Sequence, residues 1–192
     1  VILISLFGLY LYTYRRKLLD SLRHVLFFTI LMAMLICAAF LVLRHFSASY
    51  IFLIPFAWVP IITRVFYDSR TAIFIHIITV FIVSIAAPAP YVFILLQVIT
   101  GIVAVISLRD MTQRAQLAQT ALFTFLMYSI VYTASTLLVT GSIANVEYNY
   151  YIYFAVNAVL VICAYGLIFL FERTFGLVSN ITLVELTNVN SN

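Results

Sequence analysis

Apolar residues run through this chain in long stretches, and most of its charged residues fall in the gaps between them. Seven stretches can be marked, over residues 1–14, 25–43, 50–66, 71–87, 91–108, 115–140 and 150–171. None alternates polar and apolar positions as a barrel strand would, and backbone groups in lipid must bond within their own segment, so the stretches predict membrane helices. The expected fold class is an all-α integral membrane protein, a bundle of about seven transmembrane helices with a short cytoplasmic C-terminal connector helix. Two parts are expected: a seven-helix transmembrane domain over 1–173 and a connector over 174–192.

The last stretch stops at Glu172-Arg173, and Phe171, Glu172 and Arg173 mark where the chain leaves the membrane. Gly176 suits the left-handed conformation that ends a helix. Thr182-Leu183-Val184-Glu185 has the spacing in which Thr182 caps a new helix and Glu185 caps back. Leu183, Leu186 and Val189 then recur every three residues, so this exit reads as a coupling rod. Asn180-Ile181-Thr182 also matches a glycosylation sequon; the charge pattern below puts it on the cytoplasmic side, and the match is treated as chance.

Composition agrees with the pattern. Of 192 residues 66% are hydrophobic and 8% charged, with mean hydropathy +1.18, whereas soluble domains carry about 25% charged residues. Charge then sets orientation. Arg15, Arg16, Lys17, Arg23, Arg64, Arg70, Arg109, Arg114 and Arg173 fall on one side of the predicted threading, and Arg44 alone on the other. By the positive-inside rule the loops and C-terminus on the basic side are cytoplasmic. These basic residues face lipid headgroups, so the net charge of +4 implies the bilayer as partner and no nucleic acid.

The run Phe175-Gly176-Leu177-Val178-Ser179-Asn180-Ile181-Thr182-Leu183-Val184-Glu185-Leu186-Thr187-Asn188-Val189-Asn190 resembles the junction of the bacterial seven-transmembrane HD family, whose membrane domain is coupled to a cytosolic HD phosphohydrolase. The resemblance implies a chain regulating a cyclic-di-AMP phosphodiesterase in a bacterial inner membrane. In that family an Asn-x-Asn or Asp-x-Asn step leads into Pro-Leu-Leu and the His and Asp metal ligands; here Ser191-Asn192 stands in that place. The implied divalent metals belong to the HD domain, and no cofactor is expected in this chain. Implied partners are an extracellular domain and the HD domain of the same longer protein, with a second copy of the chain as a further candidate. The chain starts at Val1 within an apolar run, and about 14 residues precede Arg15, roughly 21 Å of helix against a 30 Å hydrocarbon core. It is therefore expected to be a piece of that longer protein, with the first helix short of its outer turn.

Few side chains offer chemistry. His24, His45 and His76 lie in different segments, Lys17 is the one lysine, and no Gly-rich phosphate loop, nucleophile elbow or His-Asp pair occurs. No catalytic, cofactor-binding or metal residue is expected. Within the spans, His76, Gln97 and Asn157, together with Thr100 and Ser129, are candidates for polar contacts between helices. Pro55 and Pro60 bracket Trp58 and are expected to bend the third helix, which makes them candidate hinge residues. Asp68 is placed to cap the helix after it. Tyrosines cluster at helix ends; an interfacial belt is preferred to a ligand-binding aromatic cage. Cys37 and Cys163 are expected to act as small buried hydrophobes. Two other readings are kept: a small-molecule transporter or channel, weakened by the few glycines and the lack of acidic residues at membrane depth, and a structural anchor or dimerisation module.

Overall fold

The structure is a computed structural model that describes residues 2–19, 21–108 and 115–177. Nine α-helices are found among them: α1 (Ile2–Tyr14), α2 (Arg16–Leu19), α3 (Leu22–His45), α4 (Trp58–Phe66), α5 (Ser69–Ser84), α6 (Pro90–Ser107), α7 (Ala115–Thr140), α8 (Asn149–Ile162) and α9 (Ala164–Phe175). Short 3-10 turns occupy Ala48–Leu53 and Ile143–Asn145. No strand occurs among the described residues, and the protein is an all-helical, multi-pass membrane bundle.

Five stretches are long and apolar enough to cross a bilayer: Leu22–His45, Ala48–Phe66, Pro90–Ser107, Gln116–Thr140 and Asn149–Phe175. The apolar α5 has 16 residues and α1 has 13. Large apolar side chains such as Leu138 and Ile85 point outward, 85% and 79% exposed, which suits a surface solvated by lipid. Cys37 and Cys163 lie on that outer surface, contrary to the expectation of buried cysteines. Thr79, Ser129, Thr133, Ser135 and Thr136 each donate to the carbonyl four residues back within their own helices, and the Thr133 hydroxyl also meets the Tyr151 hydroxyl of α8 at 2.6 Å. Ser129 donates to Phe125 of α7, and among the described residues no bond from its side chain to a neighbouring helix is found.

The third span sits deepest: 61% of Ala48–Phe66 is buried, against 28–39% for the other long spans. The sequence predicts one bent helix here, but the structure has a break. Ile54 is extended (φ −72°, ψ 123°), as expected for a residue clashing with the ring of the proline after it. Pro55 can donate no backbone hydrogen bond, so the 3-10 turn stops before it and α4 starts afresh at Trp58. Pro60 falls in the first turn of α4, where a backbone N–H has no partner within the helix in any case, and it disrupts nothing.

The last span is also interrupted, at Cys163 between α8 and α9, where the Gly166 N–H bonds the Cys163 carbonyl three residues back. At its far end Gly176 adopts φ 62° and its N–H closes on the Glu172 carbonyl at 2.9 Å, the left-handed cap that glycine supplies without strain. The expected helix around Thr182 and Glu185 lies outside the described residues.

Candidate functional site

The two interrupted spans cap each other. A helix break leaves carbonyl oxygens without partners, and in an apolar interior each such group costs free energy unless a side chain reaches it. Asn157 of α8, fully buried, donates from Nδ2 to the carbonyls of Phe52 (2.9 Å) and Ile54 (2.8 Å), both just before the break at Pro55, the second of which also accepts from the Phe56 N–H at 2.9 Å. In return, Trp58 in the first turn of α4 donates from Nε1 to the carbonyl of Leu160 (2.8 Å), within the last turn of α8. A side chain engaging the main-chain ladder is a known origin of helix interruptions, and this one falls three residues before Cys163. The Asn157 and Trp58 bonds thus lie on either side of Pro55, while Pro60, the other candidate hinge residue, sits within a regular turn.

An apolar cavity of about 490 Å³ opens beside this junction, lined by residues of α3, the 3-10 turn, Pro55, Trp58 and Leu160.

A second buried polar set joins α5, α6 and α7. His76 Nε2 lies 2.9 Å from the Gln97 main-chain carbonyl and, facing an acceptor, must carry the proton. The Gln97 side-chain oxygen accepts from Tyr128 at 2.6 Å. Room for the imidazole comes from Gly101, one turn along α6: a methyl group built there would overlap the His76 ring. His76 is thus enclosed in the bundle, 1% exposed. Thr100 is also fully buried, and among the described residues its hydroxyl finds no hydrogen-bond partner.

At the basic end the exit of the last span is held in aromatic packing. Phe171 and Phe175 stack on each other at 5.7 Å, and Phe27 of α3 meets both edge-on, at 5.1 and 5.9 Å. Phe27 also touches Phe66 and Tyr67 at the end of α4. So the chain's exit, the far end of the discontinuous third span and α3 share one cluster. Tyr67 hydrogen-bonds His24 at 2.7 Å, and burial raises the pKa of its phenol, which stays protonated. Glu172 is half-buried and Arg173 exposed beside this cluster.

Asp68 does not cap α5 with its side chain as expected. Its carboxylate instead pairs with Arg15 at 2.6 Å and accepts from the Thr71 hydroxyl at 2.7 Å, while Tyr10 reaches that hydroxyl at 3.2 Å. A guanidinium charge outcompetes a peptide N–H for the carboxylate. Partial burial alone would raise the Asp68 pKa, but the Thr71 hydrogen bond and Arg15 together outweigh it and hold the pKa below the usual value.

Sequence reasoning singled out Asn157 and the prolines but missed their partners. Trp58 stood visibly between two prolines; its indole target, and the roles of Phe27, Gly101 and Tyr128, gave no local signal. Among the described residues no three His, Cys, Asp or Glu side chains gather as metal ligands. No curated protein and no solved structure gives a significant match to the chain. Residues 1–179 match a family model described as "7TM receptor with intracellular HD hydrolase". With that match spanning most of its length, the chain belongs to the family of seven-transmembrane receptors with an intracellular HD hydrolase.

Proposed function

We propose that this chain anchors and regulates a C-terminal HD-type phosphodiesterase of the longer protein, with cyclic di-AMP as its substrate, at the cytoplasmic face of a bacterial inner membrane. The basic side of the bundle is the cytoplasmic one in this reading, because nine of ten Lys and Arg residues belong to it. Divalent metals would be held by the hydrolase. The substrate assignment follows the family resemblance of the junction around 175–190.

The observation that carries the reading is the reciprocal capping of the third and last spans. A signal transducer needs two packings of similar free energy and a ligand that prefers one of them. Broken helices whose hydrogen bonds are completed by each other's side chains move as a pair, and one of the two carries the exit. Displacement at Pro55 would be passed by Asn157 and Trp58 to α8, and along α9 to Phe171, Glu172, Arg173 and the cap at Gly176.

Inserting two or three alanines after Phe171 in the longer protein tests this. At 3.6 residues per turn the output would rotate by about 200° or 300°, and Phe175 would leave its place against Phe27. The expected result is hydrolase activity that no longer follows the stimulus, with the two insertions differing. Regulation unchanged by both insertions overturns the reading.

Discontinuous spans also favour a second reading, since carriers bind substrates at such breaks. Here, however, the freed carbonyls of Phe52, Ile54 and Leu160 are taken by protein side chains. Solute uptake into liposomes by this chain alone would support a carrier.

A further inference from the structure

The end of the bundle opposite the exit holds a cleft of about 210 Å³ between the 3-10 turn of the third span, α6, α7 and the start of α8. From this cleft we infer a binding site for a small organic ammonium group, either of a free amine or of an aminated lipid headgroup. Phe52 belongs both to this cleft and to the capped break, but the test reads binding alone, so its failure is separate from failure of the regulatory reading.

The walls offer hydrogen-bond acceptors. Ser135, Thr136 and Thr140 line the cleft, and their hydroxyls each donate to a main-chain carbonyl of α7, those of Val131, Tyr132 and Thr136, while the Thr140 oxygen also accepts from the Ser142 N–H at 3.4 Å. A hydroxyl that has given its proton away presents lone pairs. Glu147 adds a carboxylate, the one acidic residue at this end of the chain. The acidic residues elsewhere, Asp20, Asp68, Asp110, Glu172 and Glu185, all belong to the basic side in the sequence threading. Among the described residues no salt bridge engages Glu147, and neither Arg44 nor any other cation lines the cleft.

The remaining wall is aromatic. Tyr132 and Tyr150 stack at 4.8 Å, and the Tyr132 hydroxyl is fixed by the Glu147 main-chain N–H at 3.3 Å, which ties the carboxylate-bearing loop to the rings. Phe52 meets Tyr150 edge-on at 5.5 Å. Aromatic rings, acceptor oxygens and one negative charge are complementary to an alkylammonium group. The cleft has room for roughly seven water molecules at about 30 Å³ each, more than a bare ion fills. One carboxylate also falls short of the ligand shell a divalent metal needs.

The test uses ethanolamine as probe and ethylene glycol as its uncharged counterpart. The purified chain is placed in phosphatidylglycerol nanodiscs and, separately, in phosphatidylethanolamine nanodiscs, and thermal unfolding is followed. A saturable rise in unfolding temperature with ethanolamine and none with ethylene glycol, its midpoint weakened about tenfold in Glu147→Gln, assigns the site to free amines. A higher unfolding temperature in phosphatidylethanolamine than in phosphatidylglycerol, abolished by Glu147→Gln, assigns it to the headgroup. Should that variant fail to reach the folded state, Ser135→Ala and Thr140→Val serve in its place, each expected to weaken the response several-fold. The inference is overturned if neither ethanolamine nor phosphatidylethanolamine stabilises the wild-type chain, or if the response is the same in every folded variant.

Discussion

Trp58 and Leu160 stand 102 positions apart in the sequence, and the indole of one supplies the hydrogen bond that the main chain of the other requires, at 2.8 Å. Asn157 answers one helical turn away by closing two carbonyls of the span to which Trp58 belongs. Two helices that would each be defective alone are completed as a pair.

The pair makes a directional prediction. Asn157→Ala leaves the Phe52 carbonyl without a donor and the Ile54 carbonyl with only the Phe56 N–H, and is expected to lower stability by about 1–3 kcal/mol. Asn157→Asp should be worse, because it sets an acceptor against two acceptors. Trp58→Phe keeps the ring and loses only the N–H, for an expected loss of about 0.6–1.7 kcal/mol. Unfolding titrations in detergent, comparing the three variants with wild type, check the order. Asn157→Asp matching wild type would mean that the two carbonyls need no donor from α8.

Gly101 and His76 yield a prediction about space. Gly101→Ala forces the imidazole off the Gln97 carbonyl, an overpacking expected to cost about 1–3 kcal/mol. Because one contact is responsible, adding His76→Ala should recover part of that loss. A double-mutant cycle measured by thermal unfolding should therefore show coupling of at least about 0.5 kcal/mol. Simple additivity would mean the two residues do not meet.

Asp68 and Arg15 predict a pH dependence. The Asp68 pKa lies below its ordinary value of 3.8 in the folded state, so the unfolded chain binds a proton more readily. The contribution is then fully present above the unfolded pKa and is lost as pH falls through the folded one. Both side chains are substantially exposed, 42% for Arg15 and 36% for Asp68, which limits the pair to less than about 1 kcal/mol and makes it sensitive to salt. Wild type should exceed Asp68→Asn in stability near neutral pH, and the gap should close below about pH 3.8 or in high salt. Paired unfolding curves across pH measure it.

Some of this was readable in the residues and some was not, for a physical reason. Transfer into lipid depends on the apolar content of each stretch by itself, so the succession of spans, the basic asymmetry between their connections and the glycine cap at Gly176 could be read along the chain. Proline geometry is local too, and Pro55 announced a disturbance in the third span. How such a disturbance resolves depends on which partners lie within reach. Whether the freed carbonyls would bend the helix or break it was decided by Asn157 and Trp58 meeting their targets across more than one hundred residues. In the same way Asp68 carried the mark of a helix cap, and only the proximity of Arg15 turned it into an ion pair. Sequence determined the apolar spans and where they start and stop, because lipid and local backbone sterics act on neighbours. Tertiary structure decided how each unsatisfied polar group was completed, because its partner comes from another helix.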